Sequence, residues 1–311
     1  MITIGGENLI DFVQTDTLGG LPVYKAIPGG SCYNVAIAAA RQGGSVGYVT
    51  PVSNDTLGNV ITDRLSANAV KLCAPRVNAP TSCAVVSIID NQASYQFYRH
   101  GTAERQITLS LLDEVIPKEA TIFHIGSLAL IEGFDAELWE DIFSKMASRG
   151  VFTSLDPNVR PDFVKDKEAY IDRLLRMMQH TDILKLSDKD LEYIIPDVSL
   201  KDAFDDLYKK TNASIVILTK GEKGATVRTA VNTFDIAAIT VNSLVDTVGA
   251  GDTFMGTILA ELEKCNLSGH QLKSLKTETL RQMVSQASKA AALNCETLGC
   301  NPPYRCDLKG I

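Results

Sequence analysis

The stretch "DTVGAGDTFMG", residues 246–256, sets Gly249, Ala250 and Gly251 directly before Asp252, where a helical pattern begins. Phe254, Met255, Ile258, Leu259 and Leu262 then recur at helical spacing, which predicts one apolar helix face ending near Cys265. Asp252 is therefore expected at or near the first turn. Helix N-termini carry unpaired N–H donors and the positive end of the helix dipole, and a run stripped of side chains leaves those donors open. Such a turn can bind anionic charge developing on a phosphoryl group, and a carboxylate beside it can take a proton from an attacking hydroxyl. The same residues also fit a plain N-capping aspartate after a glycine turn.

Outward from this stretch, short β-branched runs alternate with helical patterns. The strand candidates are "SVGYVTPV" (45–52), "TIFHIGS" (121–127), "VFTSLDPN" (151–158), "TDILKLS" (181–187) and "SIVILTKG" (214–221). Residues 134–150 and 202–212 carry apolar positions at helical spacing. This alternation predicts an α/β fold, a mostly parallel sheet with helices on both faces. The runs end in polar residues: Asp156 and Asn158, Ser187 and Asp188, Thr219 and Lys220. Ligands of open α/β sheets bind beyond the carboxyl ends of the strands, so these groups are expected to converge on one edge.

Composition narrows the partners. The chain has 311 residues and a net charge of −7, which argues against nucleic acid or an anionic membrane as its main partner. No apolar run reaches the length of a membrane span. The opening "MITIGGENLIDFV" lacks a basic region and a small-residue cleavage site and reads as a first strand. Seven cysteines without paired spacing suggest reduced thiols and a cytoplasmic protein. Cys295, Cys300 and Cys306 cluster, but without Cys-x-x-Cys spacing or a nearby histidine, which favours packing thiols over a zinc site.

A second glycine cluster, "PGGSCYNVAIAAARQGG" (28–44), places Gly29 and Gly30 before Asn34 and an alanine-rich helix. Paired glycines admit a ligand close to backbone, and Asn34 can both donate and accept hydrogen bonds. Asp11, after the first strand, adds an acceptor suited to sugar hydroxyls. Read locally, Asn34 also fits a helix N-cap and Asp11 a turn. Residues 12–30 and 82–103 read as extended, with turn signals at Gly19-Gly20 and Asp90-Asn91. Together they are expected to form a small β-sheet projecting from the main body, either a lid over the crevice or an antiparallel extension of the sheet edge. The chain has neither a Gly-x-x-x-x-Gly-Lys-Ser/Thr loop nor the protein-kinase motifs.

Together these motifs resemble the ribokinase-like (PfkB-type) carbohydrate kinase family over nearly the whole chain. "GGSCYNVAIAAARQGG" followed by "NDTLG" (54–58) is similar to its N-terminal signature, and "DTVGAGDTFMG" to its C-terminal one. "LTKGEKGA" (218–225) resembles its nucleotide-binding turn and "AALNCETLGCNPP" (291–303) its usual end. "GENLIDF", "FYRHGTA", "FHIGSLAL", "LDPNVRP" and "LKLSDKDL" look most like fructokinases.

The resemblance implies one kinase domain over residues 1–311, with lid segments of about 12–28 and 82–103, that uses ATP and Mg2+ on a sugar. It makes Asp252 the base and Gly249, Ala250 and Gly251 the anion hole. Asp11, Gly29, Gly30, Asn34, Arg99 and Arg160 become sugar contacts. Lys185, Ser187, Thr219, Gly221, Gly224 and Asn294 fall along the nucleotide. Where the family often has Asn-x-x-Glu, this chain has Ser187-x-x-Asp190, so Asp190 is the carboxylate left to reach magnesium through water. The family's Gly-x-x-Gly-x-Asp-x-x-Gly becomes "TPVSNDTLG", and Thr257 stands where Gly or Ala is usual. A K+ ion is expected beside Asp246 and Val248, opposite the loop from Thr297 to Asn301, and a homodimer through the lid. Fructose is the expected sugar. A 2-keto-3-deoxygluconate kinase, another sugar or nucleoside kinase, and a silent sugar sensor are the alternatives; a nicotinamide oxidoreductase lacks its glycine fingerprint.

Overall fold

The computed structural model describes every residue except 90, 91, 268 and 311, so the Asp90-Asn91 turn signal lies outside the described residues. In chain order the strands and α-helices are β1 (Ile2–Ile4), β2 (Leu9–Leu18), β3 (Leu21–Gly29), α1 (Ser31–Arg41), β4 (Val46–Tyr48), β5 (Val52–Ser53), α2 (Thr56–Ala67), β6 (Lys71–Leu72) and β7 (Arg76–Val77). They continue as β8 (Cys83–Ile89), β9 (Gln92–Tyr98), α3 (Leu109–Val115), β10 (Ile122–Gly126), α4 (Phe134–Ser148), β11 (Phe152–Asp156), α5 (Lys167–Met178), β12 (Ile183–Ser187), α6 (Asp188–Ile194) and α7 (Leu200–Lys209). The last are β13 (Ile215–Thr219), β14 (Ala225–Arg228), β15 (Thr233–Ile236), α8 (Ala250–Lys264) and α9 (Thr277–Asn294).

Among the described residues, nine strands form the central sheet in the order β15-β14-β13-β12-β11-β10-β1-β4-β6. Every pairing from β13 to β6 is parallel, and only the β13–β14 and β14–β15 pairings at the edge are antiparallel. Successive side chains of a strand point to opposite faces, and this sheet buries both. Ile122, Ile183, Ile215 and Ile217 pack into a core with α1, α2, α8 and α9. Their neighbours Phe123, Leu184, Leu186, Val216 and Leu218 pack into a second core with helices α3 to α7. Continuous apolar strands between two helical layers are the expected α/β architecture. The α8 face of the sheet also carries His124, Ser154, Asp156 and Lys185, in step with Ile122, Phe152 and Ile183, and these polar groups lie under the start of α8.

Residues 9–29 and 83–98 form a separate four-stranded sheet, ordered β3-β2-β8-β9. No strand of it pairs with the central sheet among the described residues, so the edge-extension alternative is overturned. Gly19 and Gly20 both have positive φ, +59° and +81°, the backbone that a two-residue hairpin turn needs. The opening run is not one strand. The Trp139 ring lies 2.4 Å from where a Gly5 Cβ would sit, and Gly6 has φ +128°, so the chain turns between Ile4 and Leu9 and enters the small sheet. Asp11 is thus a strand residue, paired across from Ile27, and not a turn residue. The predicted strand 45–52 likewise splits, with β4 in the central sheet and β5 paired to β7.

Candidate active site

Gly249 is the N-cap of α8 in the left-handed region, with φ +77°. A Cβ there would lie 2.3 Å from Cys300 Sγ, so neither conformation nor space admits another side chain. Asp252 sits in the first turn, only 6% exposed. It does not cap its own helix, and the capping alternative fails. Its Oδ1 accepts Ser31 Oγ–H at 2.7 Å and Asn158 Nδ2–H at 3.3 Å, and its Oδ2 accepts Asn34 Nδ2–H at 2.9 Å. Asn34 is no N-cap either, because Gly30 holds that place and accepts the Asn34 N–H at 2.8 Å. The carboxylate is therefore oriented by donors from α1 and from the loop after β11, with backbone N–H groups of its own helix beside it.

Ser31 was not among the expected site residues, and Asn158 was expected only as one of the polar strand-end groups at the ligand edge of the sheet. A hydroxyl directly after Gly29-Gly30, at the first position of a helix, was the signal for Ser31. Asn158 has φ +39°, a left-handed backbone that asparagine tolerates better than most residues. That conformation lets Nδ2 donate to Ser31 Oγ at 2.8 Å as well as to Asp252.

Asp11 reaches toward the same cradle from β2. Its Oδ2 lies 2.3 Å from where a Gly29 Cβ would be, so Gly29 leaves room for this carboxylate. Burial pushes its pKa up to about 6 against the opposing pull of Arg160. Arg160 Nη1 donates to Asn158 Oδ1 at 2.6 Å and to the Asn158 carbonyl at 3.1 Å. Arg99 is occupied differently: it donates to both oxygens of Glu104, at 2.8 and 3.1 Å, and to the Leu128 carbonyl at 3.0 Å. The structure thus brings Asp11, Gly29, Gly30, Asn34 and Arg160 around Asp252 and commits Arg99 to an internal ion pair.

Lys185 stands beneath the glycine turn. Its Nζ lies 3.0 Å from where a Gly251 Cβ would be, so the missing side chain admits an ammonium to the start of α8. The lysine pairs with Asp156 Oδ2 at 2.7 Å. Burial disfavours its charge, but Asp156, Asp190 and Asp252 together outweigh that and raise its pKa. Asp156 is pushed up by burial against the pull of Lys185. His124, buried above it and 2.9 Å from Ser154 Oγ, is driven down to about 3 by burial and stays neutral.

The sequence that builds this arrangement of a carboxylate behind a bare helix start is similar to known proteins. The model of the pfkB family carbohydrate kinases matches residues 6–305. The chain belongs to that family. It is 36% identical to a fructokinase of Rhizobium leguminosarum bv. trifolii over 289 residues, covering 90% of this chain and 86% of the relative. It is 30% identical to a probable fructokinase-7 of Arabidopsis thaliana, covering 97% and 89%. Among solved structures, a fructokinase with bound ATP from Xylella fastidiosa shares the fold at TM-score 0.89 and 24% identity, covering 99% of this chain and 97% of that one.

The remaining expected residues of this pfkB-family chain divide in two. Gly221 and Gly224, at φ +55° and +82°, make the turn between β13 and β14, and Thr219 Oγ1 donates to the Leu186 carbonyl at 3.3 Å. Ser187 and Asp190 form a capping box at α6. Asp190 Oδ2 accepts the Ser187 N–H and Oγ–H, both at 2.7 Å, and Oδ1 accepts the Val159 N–H at 2.7 Å. The carboxylate expected near magnesium is thus spent on pinning the loop after β11 to α6. Among the described residues no group of three His, Cys, Asp or Glu side chains is set to hold a metal ion.

Asn294 is fully buried. It donates to the Val248 carbonyl at 2.8 Å and accepts the Asn301 N–H at 2.9 Å, clamping the glycine turn to the loop opposite. Asp246 closes the same junction, accepting Val248 N–H at 3.0 Å and Gly299 N–H at 2.9 Å. The two segments expected to flank a monovalent cation do face each other. No helix among the described residues is long and apolar enough to cross a membrane.

Proposed function

We propose that this chain is a fructokinase that moves the γ-phosphoryl group of ATP to a fructose hydroxyl. The observation that carries the reading is Asp252, held by Ser31, Asn34 and Asn158 directly behind the N–H groups of Gly249 to Gly251. Asp252 takes the hydroxyl proton as the sugar oxygen bonds to the γ-phosphorus and the bond to the β-phosphate bridging oxygen breaks. The N–H groups, the helix dipole and the Lys185 ammonium meet the negative charge on the transferring group. Asp11, Gly29, Gly30, Asn34 and Arg160 hold the sugar, and the β13–β14 turn the nucleotide.

Magnesium typically keeps waters and binds through substrate phosphates with one or two carboxylates, so carried on the nucleotide it would offset phosphate charge. Asp190, whose oxygens already accept three hydrogen bonds, would act behind it by fixing the loop that carries Asn158. Asp246 and the Val248 carbonyl would supply oxygens for K+ beside the anion hole. Fructose is favoured by the fructokinase relatives and by Asp11, whose charge would repel a sugar acid. All seven cysteines are unpaired, which supports a reducing, cytoplasmic setting.

Coupled ATP turnover on a panel of sugars tests the reading. Fructose is expected to give the highest kcat/KM, and Asp252→Asn to lose about 10²–10⁴-fold in kcat with nucleotide affinity retained. Replacing K+ by tetramethylammonium at equal ionic strength is expected to slow turnover. A tenfold preference for 2-keto-3-deoxygluconate removes fructose as the substrate, and near-parental kcat in Asp252→Asn removes the base.

A further inference from the structure

Glu7 is a carboxylate with no solvent access that the mechanism above leaves unused. It lies in the turn between β1 and β2. Its Oε1 accepts the backbone N–H of Ser31 at 2.7 Å, and its Oε2 has no hydrogen-bond partner. Ser31 is the first residue of α1, so this N–H is one of the donors a helix cannot satisfy itself. Gly30, the N-cap, has no side chain to do it. Gly30 instead lets Glu7 in: with φ +107°, its absent Cβ would lie 2.7 Å from the Glu7 carbonyl oxygen and 3.2 Å from Glu7 Cγ. Tyr48, fully buried, donates its hydroxyl to that carbonyl at 3.0 Å and fixes the turn. The same Ser31 that Glu7 grips by its backbone presents its hydroxyl to Asp252 Oδ1 at 2.7 Å.

For the fold alone, a carboxylate is a costly way to fill this space, because a bare buried oxygen loses its hydration without compensation. Its geometric consequence is at the other end of Ser31. We propose that Glu7 is a positioning residue for phosphoryl transfer: by holding the Ser31 N–H it fixes the first turn of α1, and so the placement of Ser31 Oγ against Asp252. This rests on Asp252 being the base. A misplacement of about 1 Å at a reacting group can cost on the order of 100-fold in rate, so a hold on the backbone of the residue that carries the base-orienting hydroxyl has leverage.

The test is a double-mutant cycle in the coupled assay, with Glu7→Ala, Ser31→Ala, their combination, Glu7→Gln and Asp252→Asn, each checked by thermal unfolding. Glu7→Ala is expected to lower kcat by about 10- to 100-fold while sugar KM moves less than about threefold. In the Ser31→Ala background the same change is expected to cost less than about threefold, since the hydroxyl that Glu7 places is gone. Glu7→Gln, whose amide oxygen still accepts the Ser31 N–H, is expected to stay within about threefold of the parent. Equal losses in both backgrounds, or a loss carried by KM, overturn the proposal. If Glu7→Ala does not fold, Glu7→Gln decides: parental kcat beside an impaired Ser31→Ala supports it, and a loss above about tenfold overturns it. An active Asp252→Asn removes the base assignment and this inference together; an inactive Asp252→Asn with an additive cycle removes only the role of Glu7.

Discussion

Asp11 and Asp252 are two carboxylates in one cradle with different surroundings. Asp252 is met by three side-chain donors, whereas Asp11 has burial on one side and Arg160 on the other. Because the Asp11 pKa rises to about 6 from 3.8, the folded chain holds that proton more tightly than the unfolded one. Its contribution to stability is therefore full below about pH 4 and is lost as pH rises through about 6. Asp11→Asn removes the charge without changing the shape. It is expected to raise Tm relative to the parent at pH 8, by about 2–4 °C per kcal/mol relieved, and to match the parent at pH 4. At pH 8 its sugar KM is expected to rise about tenfold or more, since hydrogen bonds to a charged group are worth about 1.5–3 kcal/mol. Melting curves and steady-state kinetics at both pH values check this, and a lower Tm at pH 8 would contradict the burial argument. At this scale Asp252 and its glycines were legible because their chemistry is local. The contacts of Arg99 with the Leu128 carbonyl and of Asp190 with the Val159 N–H were not, because each depends on a partner brought near by folding.

The small sheet is the element whose role depends on motion. β2 begins buried at Leu9 and Ile10 and becomes exposed along its length, ending with Leu18 76% exposed at the hairpin. It carries Asp11 at its buried end, and β3 runs through Gly29 into Gly30 and α1. We propose that sugar binding at Asp11 draws this sheet over the cradle and excludes water that would otherwise hydrolyse the nucleotide. Hydrogen exchange with saturating fructose and a non-hydrolysable nucleotide is expected to show new protection in β2, β3, β8 and β9. The central strands β11 to β13, already slow to open, should not change. Unchanged exchange in the small sheet would remove the lid. The two extended segments, and a small sheet made of both, were readable from alternation and the Gly19-Gly20 turn, but the strand order β3-β2-β8-β9 was not. Alternation reports that one face differs from the other, and leaves open which strand lies alongside.

At the scale of the whole molecule, the site exists because α1 and α8 pack closely enough for Ser31 and Asn34 to reach Asp252. Gly256 makes that contact possible: a Cβ there would lie 2.6 Å from Ala38 Cβ and 2.7 Å from the Val35 carbonyl oxygen. Gly256→Val is expected to cost about 1–3 kcal/mol by overpacking, with a lower Tm and a kcat that falls more than sugar KM as the helices part. A parental Tm would show that the interface yields and that the packing argument is wrong. The sequence by itself determined the periodic features: apolar strands buried on two faces, helices between them, glycines where backbone must be bare, and a carboxylate at a helix start. These follow from patterns of a few residues, which obey the periods of strand and helix. Tertiary structure alone decided that Asp252 faces Ser31 across 221 residues of chain and Asn34 across 218. It also decided that Asp11 sits on the small sheet, that Lys185 occupies the space Gly251 leaves, and that Glu7 caps a helix it does not belong to. Such partners are selected by how helices and sheet pack, and no local spacing encodes a contact between groups so far apart along the chain.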